Sequence, residues 1–125
     1  MRYILDTNVF LWALNNHKRL KTSVKEIIVN PDNEIFVSVV SAWEISIKLK
    51  TNPRFKLRTS IKKAFELSGF EVLDINFMHV LDMHKLPLYH KDPFDRILIA
   101  QAKVEDLTLI TADAKIKKYK VKTLY

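Results

Sequence analysis

Four acids stand where carboxylates could act together: Asp6, Glu44, Asp95 and Asp113. Asp6 directly follows the apolar run Tyr3-Ile4-Leu5, and Asp113 follows Thr108-Leu109-Ile110-Thr111. Glu44 lies about one turn into the helix expected after Glu34–Val40, and Asp95 lies in the first turn of another helix. In an open parallel sheet the strand ends that feed helices lie along one edge, which is where such folds bind ligands. Two carboxylates about 4 Å apart repel by about 4 kcal/mol at an effective dielectric of about 20, so a cluster calls for a proton or a cation. There is no cysteine and no organised histidine set, and hard oxygen donors then point to Mg²⁺ or Mn²⁺.

Helix capping is the competing account. Ser41-Ala42-Trp43-Glu44 reads as a capping box, Asp92 as an N-cap before Pro93, Asp95 as the N3 acid of that helix, and Asp113 as a cap for a last helix. Taken singly, Glu44, Asp92 and Asp113 are explained this way. Asp6, straight after a buried strand, is explained less well, and with Asp95 it forms the pair the pattern supports most directly. Capping also gives no reason for several acids to gather on one edge of a protein whose net charge is +7.

That charge favours a polyanionic partner. Lys48, Lys50, Arg54, Lys56, Arg58, Lys62 and Lys63 fall between Glu44 and Glu66 with no acid among them, and five lysines follow Asp113. These runs could be solvated faces. An acidic pocket ringed by Lys48, Lys50, Arg54, Lys56 and the C-terminal lysines is also what a phosphodiester nuclease needs, the acids holding metal and the bases the backbone. Arg96 is a further candidate RNA contact. The histidines lack zinc-protease spacing, a single glycine excludes a Gly-rich phosphate loop, and Trp12 and Trp43 read as core. An acid at position 6, no span of about 20 apolar residues and no cysteine lead us to expect a cytoplasmic protein without membrane segments.

The elements that must position these acids alternate. Strands are expected at Tyr3–Leu5, Glu34–Val40, Glu71–Leu73, Thr108–Thr111 and Val121–Leu124. Helices are expected at about 9–14, 23–29, 41–50, 59–68, 78–85, from Asp92 onward, and from Asp113 to about Tyr119. With 125 residues and no linker-like stretch, this is one α/β domain over residues 1–125, a mostly parallel sheet covered by helices on both faces.

In this order, Leu5-Asp6-Thr7-Asn8, Ser41–Lys48, His90-Lys91-Asp92-Pro93-Phe94-Asp95-Arg96 through Ala102, and Leu109–Asp113 resemble the PIN-domain family, and within it VapC-type toxins of toxin–antitoxin pairs. The resemblance implies that Asp6, Glu44 and Asp95 bind metal with Asp113 as a fourth acid, Asp92 standing second. It implies that Thr7 and Thr111 support the site by hydrogen bonds. It further implies an endoribonuclease using Mg²⁺ or Mn²⁺ to activate water for in-line attack, leaving a 3′-hydroxyl and a 5′-phosphate. A homodimer and a cognate antitoxin covering the acidic groove belong to the same expectation. Two alternatives keep the residues but not the chemistry: a non-catalytic binding module on this fold, and an aspartyl phosphotransfer enzyme, for which Asn8 stands where a second acid is wanted.

Overall fold

The computed structural model describes residues 1–125. In chain order the elements are β1 (Arg2–Leu5), α1 (Thr7–Asn15), α2 (Thr22–Val29), β2 (Glu34–Ser38), α3 (Val39–Thr51), α4 (Ile61–Ser68), β3 (Glu71–Leu73), α5 (Phe77–Lys85), α6 (Pro93–Val104), β4 (Thr108–Ile110), a 3₁₀ turn (Ile116–Lys118) and β5 (Thr123–Leu124). The five strands form one sheet in the order β3-β2-β1-β4-β5, and every neighbouring pair is parallel.

The central strands are apolar on both faces, as a sheet sandwiched between helices requires. Ile4, Phe36 and Leu109 join Leu98, Ile99 and Ala102 of α6 in one buried cluster, with Leu86 and the partly buried Met83 from the α5 end. Their neighbours Tyr3, Leu5, Ile35, Val37 and Ile110 face the other side, against Val9 and Phe10 of α1, Val24 of α2 and Ile45 of α3. Phe65 of α4 seals that second layer, its ring centroid 4.8 Å from that of Phe10. No helix is long and apolar enough to cross a membrane.

Several boundaries differ from the sequence expectation. Helix α3 starts at Val39 and not at Ser41, because the Ser38 side chain accepts the Val40 amide and caps it. Ser41 is therefore inside the first turn and Glu44 is not at N3, so the expected capping box does not form. The helix expected from Asp113 shrinks to one 3₁₀ turn, since Thr111 Oγ1 takes the Asp113 amide and Asp113 Oδ1 takes the Lys115 amide. Correspondingly, only Thr123–Leu124 of the last segment joins the sheet.

Strand order places the site. From β1 the chain moves outward to β2 and β3, then α5 and α6 carry it back across to β4 on the other side of β1. The order reverses between β1 and β4, and a crevice opens beyond the carboxyl ends of strands at such a point. Leu5 pairs with both Val37 and Ile110, so Asp6, the start of α3 and Thr111 leave the sheet at one level.

Candidate active site

Asp6 leaves β1 with its amide still in the ladder, donating to the Ile110 carbonyl at 3.1 Å. Its Oδ1 accepts the Val9 amide at 2.8 Å and so caps α1, while the Thr111 hydroxyl also supports the carboxylate. Only 6% of the residue is exposed. Burial pushes the Asp6 carboxyl above its usual range. The Thr111 and Val9 hydrogen bonds oppose the shift, and the charges of Glu44 and Asp113 add to it.

Glu44 is held by a short chain of hydroxyls. Thr7 Oγ1 donates to Glu44 Oε1 at 2.8 Å, and Ser41 Oγ lies 3.0 Å from the same Thr7 oxygen. A threonine has one hydroxyl proton, and here the carboxylate takes it, so the buried Ser41 is the donor to Thr7. Glu44 Oε2 meets Lys48 Nζ at 3.4 Å, one helical turn away. With Ser38 capping α3, these contacts account for Glu44 in place of a capping box.

Helix α6 brings two acids. Asp92 Oδ1 accepts the amides of Phe94 and Asp95 at 2.9 and 3.2 Å, an N-cap reinforced by Pro93 at the first helical position. Asp95 turns into the site, where its Oδ2 lies 2.8 Å from His90 Nε2. Burial first, and then the charges of Asp92, Asp6 and Glu44, lift the Asp95 carboxyl from 3.8 to about 6 against the lowering effect of the His90 contact. Asp113 completes the group, its Oδ2 3.9 Å from the same His90 nitrogen.

Asp6, Glu44, Asp92, Asp95 and Asp113 thus line one open pocket of about 380 Å³, together with Thr7, Asn8, Trp12, Arg19, His90 and Ala112. A PIN domain model matches residues 3–122. The chain belongs to the PIN-domain family. No curated protein matches it. Among solved structures, this PIN domain is similar to a chain of VapBC2 from Rickettsia felis bound to a DNA fragment from its promoter, with TM-score 0.74 and 19% identity, covering 99% of this chain and 98% of that one. DNA-bound VapBC from Salmonella typhimurium gives TM-score 0.69 at 13% identity, covering 99% and 97%. A toxin–antitoxin complex from Klebsiella pneumoniae gives 0.66 at 22%, covering 98% and 96%. At these identities the likeness is one of fold.

Several sequence expectations for the PIN domain's surroundings change. None of Lys48, Lys50, Arg54, Lys56 or the C-terminal lysines lines the pocket; Lys48 reaches Glu44, and the other three are exposed without ion pairs. The basic residue at the rim is Arg19, from the loop after α1. Arg96 is not a free RNA contact. Its guanidinium is taken up by the carbonyls of Met83, Leu86, Pro87 and His90 and by the Tyr119 hydroxyl, at 2.9 to 3.4 Å, and so pins the segment that carries His90. Trp43 is 57% exposed, set edge-on against Phe94 at 5.0 Å, and so is not a core residue, whereas Trp12 is half-buried, packing against the core cluster of α1 and the sheet while also lining the pocket.

His90, Arg19 and Trp12 are site residues that spacing alone does not single out. For His90 the available signal is its place at the head of the His-Lys-Asp-Pro-Phe-Asp-Arg block. For Arg19 it is the basic run His17-Lys18-Arg19 that follows α1.

Proposed function

We propose that this PIN domain is a divalent-cation-dependent endoribonuclease and the toxin of a toxin–antitoxin pair. The observation that carries the nuclease reading is the convergence of five carboxylates at the strand-order reversal of a protein with net charge +7. Two of the five, Asp6 and Asp95, are raised by burial and by each other's neighbours, and Asp6 has no cationic side chain within 4 Å to compensate. A cation relieves both causes. Asp6, Glu44 and Asp95, with Asp113, offer the hard oxygen set suited to Mg²⁺ or Mn²⁺. His90, Asp95 and Asp113 also bring three donor atoms within 4.8 Å of one another, but an imidazole ligand suits softer ions better, and here it is engaged with Asp95.

The chain's own groups have distinct parts in this reading. Asp6, Glu44, Asp95 and Asp113 hold the ion. Thr7 orients Glu44, and Thr111 orients Asp6. Asp92 caps α6 and so sets the direction of Asp95. His90 Nε2, 2.8 Å from Asp95 Oδ2, fixes the orientation of that carboxyl. A divalent ion held by these carboxylates would supply Lewis acidity for activating water and for offsetting charge on the leaving oxygen.

The toxin assignment and a cognate antitoxin partner are supported by the fold shared with chains of VapBC complexes and by the motif order; a homodimer and a cytoplasmic location complete the same proposal. Purified protein should cut RNA with Mg²⁺ or Mn²⁺ and stop with chelator. RNA binding that needs no metal and gives no cleavage would replace the enzyme by a binding module. The toxin label has its own test, since co-expression with a small DNA-binding protein encoded beside it should silence the nuclease.

A further inference from the structure

The carboxylate pocket has a wall of different chemistry. Trp12 and Asn8 of α1 and Arg19 of the following loop line it. Arg19 is exposed and makes no ion pair, although five acids share its pocket. Its backbone is fixed on both sides, the amide donating to His17 Nδ1 at 3.1 Å and the carbonyl accepting the Tyr125 hydroxyl. Trp12 is half-buried, with the His17 ring nearly parallel to it at 6.1 Å and the Tyr125 ring inclined at 6.0 Å. Lys21 closes the group from above Tyr125, 5.1 Å from the ring centre. An indole and an unpaired guanidinium thereby stand on one wall of the pocket beside the acids.

A phosphodiester approaching five carboxylates is repelled by them, and a bound cation offsets that repulsion only locally. Binding of a nucleic acid strand then depends on attractive contacts at the rim. Aromatic faces that stack on bases and cations that hold phosphate are how single strands are gripped without sequence readout. We propose that Trp12 and Arg19 form a nucleotide subsite on the wall of the carboxylate pocket, Trp12 stacking on a base of single-stranded RNA and Arg19 holding the adjoining phosphate. The choice of RNA rests on the nuclease reading; the subsite itself rests on the geometry of this wall.

Trp43 is the only other tryptophan and lies outside the pocket, so Trp43→Phe leaves Trp12 as the sole indole reporter. In an Asp6→Asn, Trp43→Phe protein, a short single-stranded oligoribonucleotide should quench Trp12 emission to a plateau that tracks binding measured by anisotropy of an end-labelled copy. Trp12→Ala should weaken binding about tenfold, and Trp12→Phe should recover most of the loss. Arg19→Gln should reduce the slope of log affinity against log salt by about 0.7. In cleavage assays Trp12→Ala should raise KM with kcat retained. Unchanged emission on binding, with unchanged affinity for Trp12→Ala, overturns the subsite while cleavage by the wild type still upholds the nuclease; absence of RNA binding also overturns it. Quenching and binding without any cleavage by the wild type would uphold the subsite and refute the nuclease.

Discussion

Helix α6 carries the same chemical pair at both ends, an imidazole against a carboxylate, and the two pairs do opposite things. At its C-terminal end, His79 is fully buried and every ring nitrogen is accounted for. Nδ1 accepts the Asn76 amide at 3.1 Å, which leaves the proton on Nε2, 3.1 Å from Glu105 Oε1. Asn76 returns the favour by capping α5 through the His79 amide. At the N-terminal end, about 15 Å away by helix rise, His90 faces Asp95 at 2.8 Å, but four more acids share that pocket and Asp95 is lifted to about 6. A satisfied pair bolts two helices together. A pair surrounded by like charge is strained until something cationic joins it, and that unresolved repulsion is what marks a site.

The contrast is broken most severely by Asp95→Asn. Cleavage should fall by more than about a hundredfold, the upper range for outer-sphere partners of a metal, with the fold intact by circular dichroism. Retained activity would remove Asp95 from the chemistry.

The same variant sharpens the comparison through pH. The Asp95 carboxyl is raised in the folded state, so the native protein binds a proton more readily than the unfolded chain. This residue's contribution to stability therefore falls as pH rises from about 4 to about 6, with its penalty fully present above that window. Without divalent ions, Asp95→Asn should gain stability relative to wild type across that range, by an amount on the order of 2–3 kcal/mol at pH 7. Added Mg²⁺ or Mn²⁺ should raise the melting temperature of the wild type and erase the gap. A pH-independent difference in melting temperature would contradict the burial argument.

At the other end, His79→Ala strips partners from Asn76 and Glu105 and empties a fully buried position. Chemical denaturation should report a loss of about 2–4 kcal/mol. Cleavage per folded molecule should be unaffected.

Arg96→Lys should cost less, about 1–2 kcal/mol, since an ammonium cannot span five acceptors as a planar guanidinium does. It should also lower activity by loosening the His90 segment. Lys48→Ala should cost under about 0.5 kcal/mol, because an ion pair one helical turn apart with a third of the lysine exposed contributes little.

Much of this was legible in the sequence because local rules governed it. Tyr3-Ile4-Leu5 reads as buried on both faces, Asp92-Pro93 reads as a helix start, and Gly69 closes α4 in the left-handed conformation at φ 71°. The order of strands and helices gives a parallel sheet, and with it an edge where Asp6, Asp95 and Asp113 meet. What was not legible depends on which groups share a space. Val39-Val40 is β-branched and looks like strand, yet Ser38 caps a helix there. Arg96 looks like a surface cation, but the carbonyls that occupy it come from a segment whose path only the fold determines. His79 and His90 are indistinguishable as letters in the sequence. Burial and the number of uncompensated acids around each separate them.

The most direct test is the initial rate of cleavage of a labelled RNA at saturating Mg²⁺ or Mn²⁺ for the wild type, Asp6→Asn and the folded control His79→Gln. The carboxylate site requires that Asp6→Asn lose more than about a hundredfold, that chelator abolish the wild-type rate, and that His79→Gln stay near wild type once corrected for the folded fraction. Cleavage by Asp6→Asn at the wild-type rate, or a wild-type rate indifferent to chelator, would contradict it.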